Sequence, residues 1–335
     1  MSLSVTELLY GSFLDLQLLN PASLMLATAT AVTSLIYFMC PRLLVQMYFR
    51  VAVMWSGMRL KRVIDNKGFT FFYGERGHPK PGQTSMLLLH GFSADHFMWA
   101  SIVQYLPSEI HVIALDLPGH GFTSDPLEGD DIGFKGQLQR IKQFLDLVGI
   151  DKCHVTGVSM GNPSRLFAAS FQDRVSAVTM CCPSMKTPED GQLIALYRAA
   201  TARGISLTLD TCPLLPQTAA DLQAMLRVVC YYHSFVPSQI LKGAVELRKE
   251  RNNFYLQLLH KLLLEESRSA LENQLDKIIC PSQVVVHVSG AEVAAEESPN
   301  YIMPVLYHAV DMLSTMISLG TLLKSYQQFW MEAAK

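Results

Sequence analysis

Short apolar runs alternate with helical patterns between residues 69 and 183. The strand candidates are FTFFYG (69–74), SMLLLHG (85–91), HVIALDLPGHG (111–121), CHVTGVSMG (153–161) and RVSAVTMCCP (174–183). Between them, QLQRIKQFLDLVGI carries Leu138, Ile141 and Leu145 at helical spacing, and RLFAAS (165–170) continues as a helix. Uninterrupted apolar strands are typical of a sheet that is covered on both faces. The alternation therefore predicts an α/β fold with a mostly parallel central sheet.

The strand pattern stops between residues 183 and 280. TAADLQAMLRVVCYY (218–232) and NNFYLQLLHKLLLEESRSALENQL (252–275) both have helical periodicity. PSQVVVHV (281–288) then predicts another strand, and residues 315–335 predict a closing helix. We therefore expect one domain over residues 63–335, with a helical cap inserted at about residues 187–275.

A long uncharged segment lies close to the N-terminus. Residues 22–40, ASLMLATATAVTSLIYFMC, are about as many as a helix needs to cross a bilayer core of roughly 30 Å. A signal peptide and a buried helix are the alternatives. The first 21 residues contain Glu7 and Asp15 but no Lys or Arg, whereas a signal peptide begins with a basic region. The pattern favours a retained transmembrane helix within an N-terminal segment, residues 1–62.

Basic residues follow the apolar run, and none precedes it. They are Arg42, Arg50, Arg59, Lys61 and Arg62. By the positive-inside rule they predict a single-pass protein whose main domain faces the cytoplasm, on an endomembrane or the plasma membrane. Residues 41–62 are either a helix lying in the membrane interface, among membrane lipids, or a continuation of the anchor.

Composition limits the classes of partner and cofactor. Half of the residues are hydrophobic, 17% are charged and the net charge is −2, which gives no reason to expect a nucleic-acid partner. The seven cysteines have no metal-binding spacing and are expected to be reduced thiols.

The stretch Gly157-Val158-Ser159-Met160-Gly161 has the pattern of a nucleophile elbow. In such an elbow the serine lies on a sharp turn between a strand and a helix, and glycines relieve the clashes. Five-residue patterns of this kind also arise by chance. Here the pattern follows a predicted strand and precedes a predicted helix, so it points to Ser159 as a nucleophile.

A serine nucleophile also needs hydrogen-bond donors for the oxyanion that it creates. The run LLLHGFSADHFMW places the backbone amide of Phe92 just after a predicted strand, beside the elbow. The amide of Met160, at the start of the helix after the elbow, is the second candidate donor. His90, Asp116 and His120 lie at the same edge of the sheet, and we expect them to brace loops.

These motifs, in this order, resemble the α/β-hydrolase superfamily. With the N-terminal anchor and the cap segment ERNNFYLQLL, the chain is similar to the membrane-anchored monoacylglycerol lipases of that superfamily. The resemblance implies a serine hydrolase that cleaves monoacylglycerols or related lysolipid esters on the cytosolic leaflet. It implies an acyl-enzyme mechanism without a metal or cofactor.

The resemblance also implies a histidine near the C-terminus and an acid after a late strand. His308, in MPVLYHAVDML, matches the position of the histidine, although Tyr307 stands where the family usually has glycine. The acid loop is short in this chain, and Glu292 is the nearest candidate. Glu296, Glu297 and Asp190 are further candidates, and all of them are equally well explained as surface carboxylates.

Two interpretations of function follow. In the first, His308 and Glu292 activate Ser159, and the chain is a carboxylic ester hydrolase. In the second, the chain kept the fold but lost the acid loop, and it binds lipid or another partner without catalysis. An aberrant splice product or a faulty gene model near Val288 would also explain the short loop.

Overall fold

A seven-stranded sheet forms the centre of the described part of the chain, with the strand order β1-β2-β4-β3-β5-β6-β7. The computed structural model describes residues 20–159, 163–181, 192–229, 236–272 and 274–285. The strands are β1 (Arg59–Ile64), β2 (Thr70–Arg76), β3 (Ser85–Leu89), β4 (Val112–Leu115), β5 (Cys153–Val158), β6 (Val175–Cys181) and β7 (Ser282–Val285). The closing helix expected at residues 315–335 lies outside the described residues.

Strands β3 to β7 pair in parallel, and β1 and β2 extend one edge in antiparallel pairing. Leu89 of β3 pairs with Leu115 of β4 on one side and with Gly157 of β5 on the other. The carboxyl ends of these three strands therefore lie at one edge of the sheet. Ligand sites of parallel α/β sheets form at that edge.

Ten α-helices accompany these strands in the described residues. They are α1 (Pro21–Met39), α2 (Pro41–Trp55), α3 (Ala100–Val103), α4 (Phe134–Leu147), α5 (Pro163–Ser170), α6 (Gln192–Ala202), α7 (Ala219–Val229), α8 (Ser238–Lys249), α9 (Asn252–Leu263) and α10 (Glu265–Glu272). Apolar residues of α4 and α5 pack on one face of the sheet, and those of α2 and α3 pack on the other. All five residues of β3 are buried, as its continuous apolar run predicts.

Helix α1 agrees with the apolar segment expected at residues 22–40. It has 19 residues. Its most apolar 18-residue stretch has a mean hydropathy of 1.6, and none of that stretch is buried. Asn20 caps its start, since Oδ1 accepts a hydrogen bond of 2.6 Å from the backbone N–H of Ala22, and Pro21 occupies the first turn. Cys40 separates it from α2, so the apolar segment and the segment that follows are two helices.

The expectation of a helix or anchor continuing to residue 62 is wrong beyond residue 55. The helix ends at Trp55, and Gly57 takes a left-handed conformation with φ of 76°. Residues 59–64 then form the edge strand β1, in which Arg59 pairs with Glu75. Basic side chains are common on edge strands because they discourage pairing with another chain. Three of the basic residues that follow the apolar run, Arg59, Lys61 and Arg62, therefore lie in the sheet.

The helical segment 192–272, called the cap below, lies where the strand pattern stops. Its α6 and α9 share an apolar cluster with Phe92, while α7 and α8 form a second cluster around Leu222 and Leu241. The long helix expected over residues 252–275 is interrupted at Leu264, whose ψ of 140° is not helical. Two helices, α9 and α10, take its place.

Candidate active site

Ser159 lies on a strained turn at the carboxyl end of β5. Its φ is 52°, in the left-handed region that side-chain-bearing residues seldom adopt, and its side chain is exposed. Its backbone N–H donates a hydrogen bond of 2.9 Å to the carbonyl of Cys181 on β6, which holds the turn against the sheet. A strained, exposed serine at this point is the geometry of a nucleophile elbow.

The loop after β3 approaches the elbow closely. A Cβ atom added to Gly91 would lie 3.4 Å from the Cβ atom of Ser159 and 3.4 Å from the carbonyl oxygen of Val158. These distances are ordinary van der Waals contacts, so the loop at Gly91 packs directly against the serine. Phe92, the expected oxyanion donor, is the next residue along the chain. Met160, the other expected donor, lies outside the described residues.

His90 connects the two loops at this edge, as the sequence indicates. Its Nδ1 is 2.7 Å from the carbonyl oxygen of Gly91, and its Nε2 accepts a hydrogen bond of 2.9 Å from the backbone N–H of Leu117. The ring is fully buried, and burial lowers its pKa despite the nearby charge of Asp116. His90 is therefore a neutral brace at neutral pH.

Asp116 organises the loop after β4, and this prediction is also confirmed. The carboxylate is fully buried. Its Oδ1 accepts hydrogen bonds from the backbone N–H of His96 at 2.6 Å and from His96 Nδ1 at 2.9 Å, and its Oδ2 accepts one from the backbone N–H of Phe122 at 3.0 Å. With its lone pairs engaged in this way, Asp116 is explained as a structural residue.

His120 belongs to the same loop and is equally buried. Its Nδ1 is 3.0 Å from the carbonyl oxygen of Pro118, and its ring packs 5.0 Å from that of Tyr255 in the cap. Burial and the neighbouring His90 hold its pKa well below the usual value. Arg251 fastens the loop to the cap, since its Nη1 donates a hydrogen bond of 2.9 Å to the carbonyl oxygen of Gly119.

Asp95, His96 and Asp116 form a cluster of ionisable groups that the sequence did not reveal. Their possible ligand atoms lie within 4.8 Å of one another. Burial by itself would lower the pKa of His96, but the hydrogen bond and charge of Asp116 outweigh it and raise that pKa. Burial and the charge of Asp116 raise the pKa of Asp95. Within the cluster His96 donates to Asp116, whereas Asp95 Oδ1 accepts a hydrogen bond of 2.9 Å from the backbone N–H of Phe97.

His154, on β5, is a structural histidine. His154 is 1% exposed on β5, and its Nε2 lies 2.9 Å from Thr179 Oγ1. Burial lowers its pKa to about 3, so it stays neutral. The expected base His308 and acid Glu292, with the alternatives Asp190, Glu296 and Glu297, lie outside the described residues.

A half-buried arginine contacts this region and has no signal in the sequence. Arg248, in the last turn of α8, donates a hydrogen bond of 2.6 Å from Nη2 to the hydroxyl of Ser93, the residue after Phe92. Burial lowers its pKa. Helical periodicity gave no signal for it, because its partner lies 155 positions away in the chain.

Comparison with known proteins agrees with this geometry. The family model of the alpha/beta hydrolase fold matches residues 84–252, which include the loop at Phe92, the elbow and most of the cap. The chain belongs to the α/β-hydrolase family. The expected fold class is thereby confirmed.

Similar curated proteins cover most of the chain. It is 34% identical over 278 residues to monoacylglycerol lipase ABHD6 of Homo sapiens, covering 79% of this chain and 80% of that protein. It is 34% identical over 300 residues to monoacylglycerol lipase abhd6-A of Xenopus laevis, covering 84% of this chain and 86% of that protein. These relatives confirm the expectation of an ester hydrolase.

Solved structures share the fold. A putative lipase from Acinetobacter baumannii superposes with a TM-score of 0.70 at 18% identity, over 86% of this chain and 96% of that chain. A membrane phospholipase A described as a bacterial virulence factor superposes with a TM-score of 0.63 at 24% identity, over 79% of this chain and 81% of that chain. At these identities the likeness concerns the fold alone.

Proposed function

We propose that this α/β-hydrolase is a membrane-anchored serine hydrolase that cleaves monoacylglycerols or related lysolipid esters to a fatty acid and glycerol or its derivative. The observation that carries the proposal is Ser159, exposed on a left-handed turn at the carboxyl end of β5, with Gly91 packed against it. A serine must be exposed in order to attack an ester. Phe92, the residue after Gly91, is the proposed oxyanion donor.

In the proposed mechanism Ser159 Oγ attacks the ester carbonyl while His308 takes its proton. The Phe92 and Met160 amides stabilise the oxyanion, and His308 then returns the proton to the leaving alcohol. Water attacks the acyl-enzyme by the same route and releases the fatty acid. Glu292 orients His308 in this scheme, and losing such an acid lowers kcat by about 10⁴-fold in serine proteases, which is about 5.5 kcal/mol of barrier.

The anchor explains how a lipid substrate reaches the site. Helix α1 spans roughly 28 Å at 1.5 Å per residue, close to the thickness of a bilayer core. Its apolar side chains are exposed, which is unfavourable in water and favourable in lipid. Arg42, Arg50 and Arg59 follow it, so the proposal places the catalytic domain on the cytoplasmic side.

The decisive experiment is labelling of the full-length protein with a fluorophosphonate probe, combined with hydrolysis of a monoacylglycerol in vesicles. We expect labelling and turnover in the wild type and neither in Ser159→Ala. Ser108→Ala is the matched control, because Ser108 is an exposed serine before the amino end of β4, and this substitution removes a hydroxyl of the same kind. Labelling that persists in Ser159→Ala contradicts the proposal.

The same assay separates enzyme from binding protein. If folded wild-type protein neither labels nor hydrolyses any ester, the chain is a non-catalytic lipid-binding member of the family. His308→Ala and Glu292→Gln test the other two proposed residues. We expect a loss of about 10³-fold or more for the first and up to about 10⁴-fold for the second.

A further inference from the structure

Cap helix α8 contacts two regions with two different faces. Gln239, Gly243 and Glu250 recur at i, i+4 and i+11, which places them on one side of the helix axis. Arg248 lies about 140° around the axis from Gly243, at 100° per residue. The first face meets α2 and the end of α1, and the second meets the loop that follows β3.

The contact between α8 and α2 leaves no room for a side chain at position 243. A Cβ atom on Gly243 would lie 2.2 Å from the carbonyl oxygen of Pro41 and 2.9 Å from Val45 Cγ2. Gln239 Nε2 donates a hydrogen bond of 3.3 Å to the carbonyl oxygen of Phe38 at the end of α1. The two helices are therefore in backbone contact, next to the membrane anchor.

An ion pair closes the same contact at its other end. Arg42, one residue into α2, pairs with Glu250, which follows α8. Both side chains are well exposed, so the pair contributes little to stability. It adds a second, weak point of contact between α8 and α2, two helical turns from Gly243.

The opposite face of α8 holds the loop that carries the expected oxyanion donor. Ser93 has a φ of 54°, and the backbone N–H of Ala94 donates a hydrogen bond of 3.3 Å to the carbonyl oxygen of Gly91. This turn contains both peptide groups of Phe92. If Ser93 relaxed to a negative φ, the backbone direction of Phe92 would change with it.

Arg248 opposes that relaxation. Its guanidinium donates to Ser93 Oγ at 2.6 Å and to the carbonyl oxygen of Leu214 within the cap at 3.2 Å. A hydrogen bond from a charged donor is stronger than one between neutral groups. Its free energy is comparable to the cost of holding a serine in the left-handed conformation, so this bond can keep Ser93 in place. Ser93 is 8% exposed, so water competes poorly for the same bond.

We propose that α8 relays the position of the membrane-proximal helix α2 to the turn at Phe92. Arg248 is the positioning residue for the Phe92 amide. The inference rests on the proposed function, because it assigns a purpose to a turn beside Ser159. It goes beyond that function by making the rate of ester cleavage depend on how the cap sits on the anchor.

The first test is a double-mutant cycle on full-length protein in vesicles, with a soluble p-nitrophenyl ester as substrate. Arg248→Ala and Ser93→Ala should each lower kcat by about 10–100-fold, less than the loss of a complete oxyanion donor, and change KM by less than about threefold. The double variant should lose no more kcat than either single variant, since both substitutions remove the same hydrogen bond. Arg248→Lys should recover part of kcat.

Lys249→Ala, an exposed neighbour in the same turn, is the control and should leave kcat unchanged. A rise in KM with kcat unchanged would mean that Arg248 contacts substrate, which overturns the positioning role. Additive losses in the double variant would overturn it as well. Failure of the proposed function is a different result, because the wild type itself would then be inactive toward every ester.

The second test addresses the relay. Gly243→Val should lower kcat in the same way, and no further when combined with Arg248→Ala, while Lys242→Val on the exposed face should have no effect. Should Gly243→Val fail to fold, the exposed ion pair gives a milder test. Arg42→Glu should lower kcat, and Arg42→Glu with Glu250→Arg should restore it. Unchanged kcat in Arg42→Glu and in any folded Gly243 variant overturns the relay.

Discussion

Replacement of Asp116 separates structural carboxylates from catalytic ones at this site. In Asp116→Ala, two buried donors of His96 and the half-buried backbone N–H of Phe122 lose their acceptor. A buried donor left without a partner costs about 1–3 kcal/mol. Partial relaxation brings the total to about 3–5 kcal/mol, at the upper end of what single substitutions cause.

Such a loss is a large share of the total stability of about 5–15 kcal/mol for a typical domain. We expect the midpoint of thermal unfolding in detergent micelles to fall by about 10 °C. Asp116→Asn retains one oxygen acceptor and should cost about 1–2 kcal/mol, provided that its amide oxygen takes the place of Oδ1 and keeps both bonds to His96. The order wild type, Asn, Ala in stability is the expected result.

The activity of the same variants decides the role of Asp116. The protein that remains folded should react with a fluorophosphonate within about tenfold of the wild-type rate, whereas loss of a triad acid lowers reactivity by about 10⁴-fold. Stability within 1 kcal/mol of wild type in Asp116→Ala would refute the structural account. Wild-type stability combined with a 10⁴-fold slower reaction would make Asp116 the acid in place of Glu292.

Three further predictions follow from buried contacts. Gly121→Ala should destabilise the protein by about 2–4 kcal/mol in thermal unfolding, because its Cβ would lie 2.0 Å from Asp116 Oδ2 at a φ of 51°; an unchanged midpoint contradicts this. Hydrogen bonds from the backbone N–H groups of Phe69 and Lys67 outweigh burial and lower the pKa of Asp65. The contribution of this carboxylate to the free energy of unfolding is therefore present above pH 4 and is lost as the pH falls through the lowered pKa. Asp65→Asn should therefore be less stable than wild type at pH 7, with the difference shrinking below pH 4. His154→Gln should leave the pH dependence of Ser159 labelling unchanged, since the pKa of His154 is about 3 and its ring contacts Thr179; a shifted profile would show that His154 takes part in catalysis.

Local patterns in the sequence determine much of this protein. Apolar runs predict β2 to β7, most clearly β3 and β4, which are buried at every position and therefore need apolar residues on both faces. The pattern around Ser159 predicts its exposed turn, since strand, elbow and helix follow one another along the chain. The uncharged segment predicts α1, because the number of consecutive apolar residues sets the length of such a helix. Each of these features rests on residues that are neighbours in sequence.

Tertiary structure decides the features that join distant residues. Strand β1 was missed because its pairing with β2 outweighs the helical pattern of the preceding segment, once Gly57 ends the helix. The hydrogen bond from Arg248 to Ser93 spans 155 positions and has no periodic signal. Whether a carboxylate such as Asp116 is buried among donors or exposed depends on which loops meet at the sheet edge. Chain topology sets those meetings, and composition and spacing do not record them.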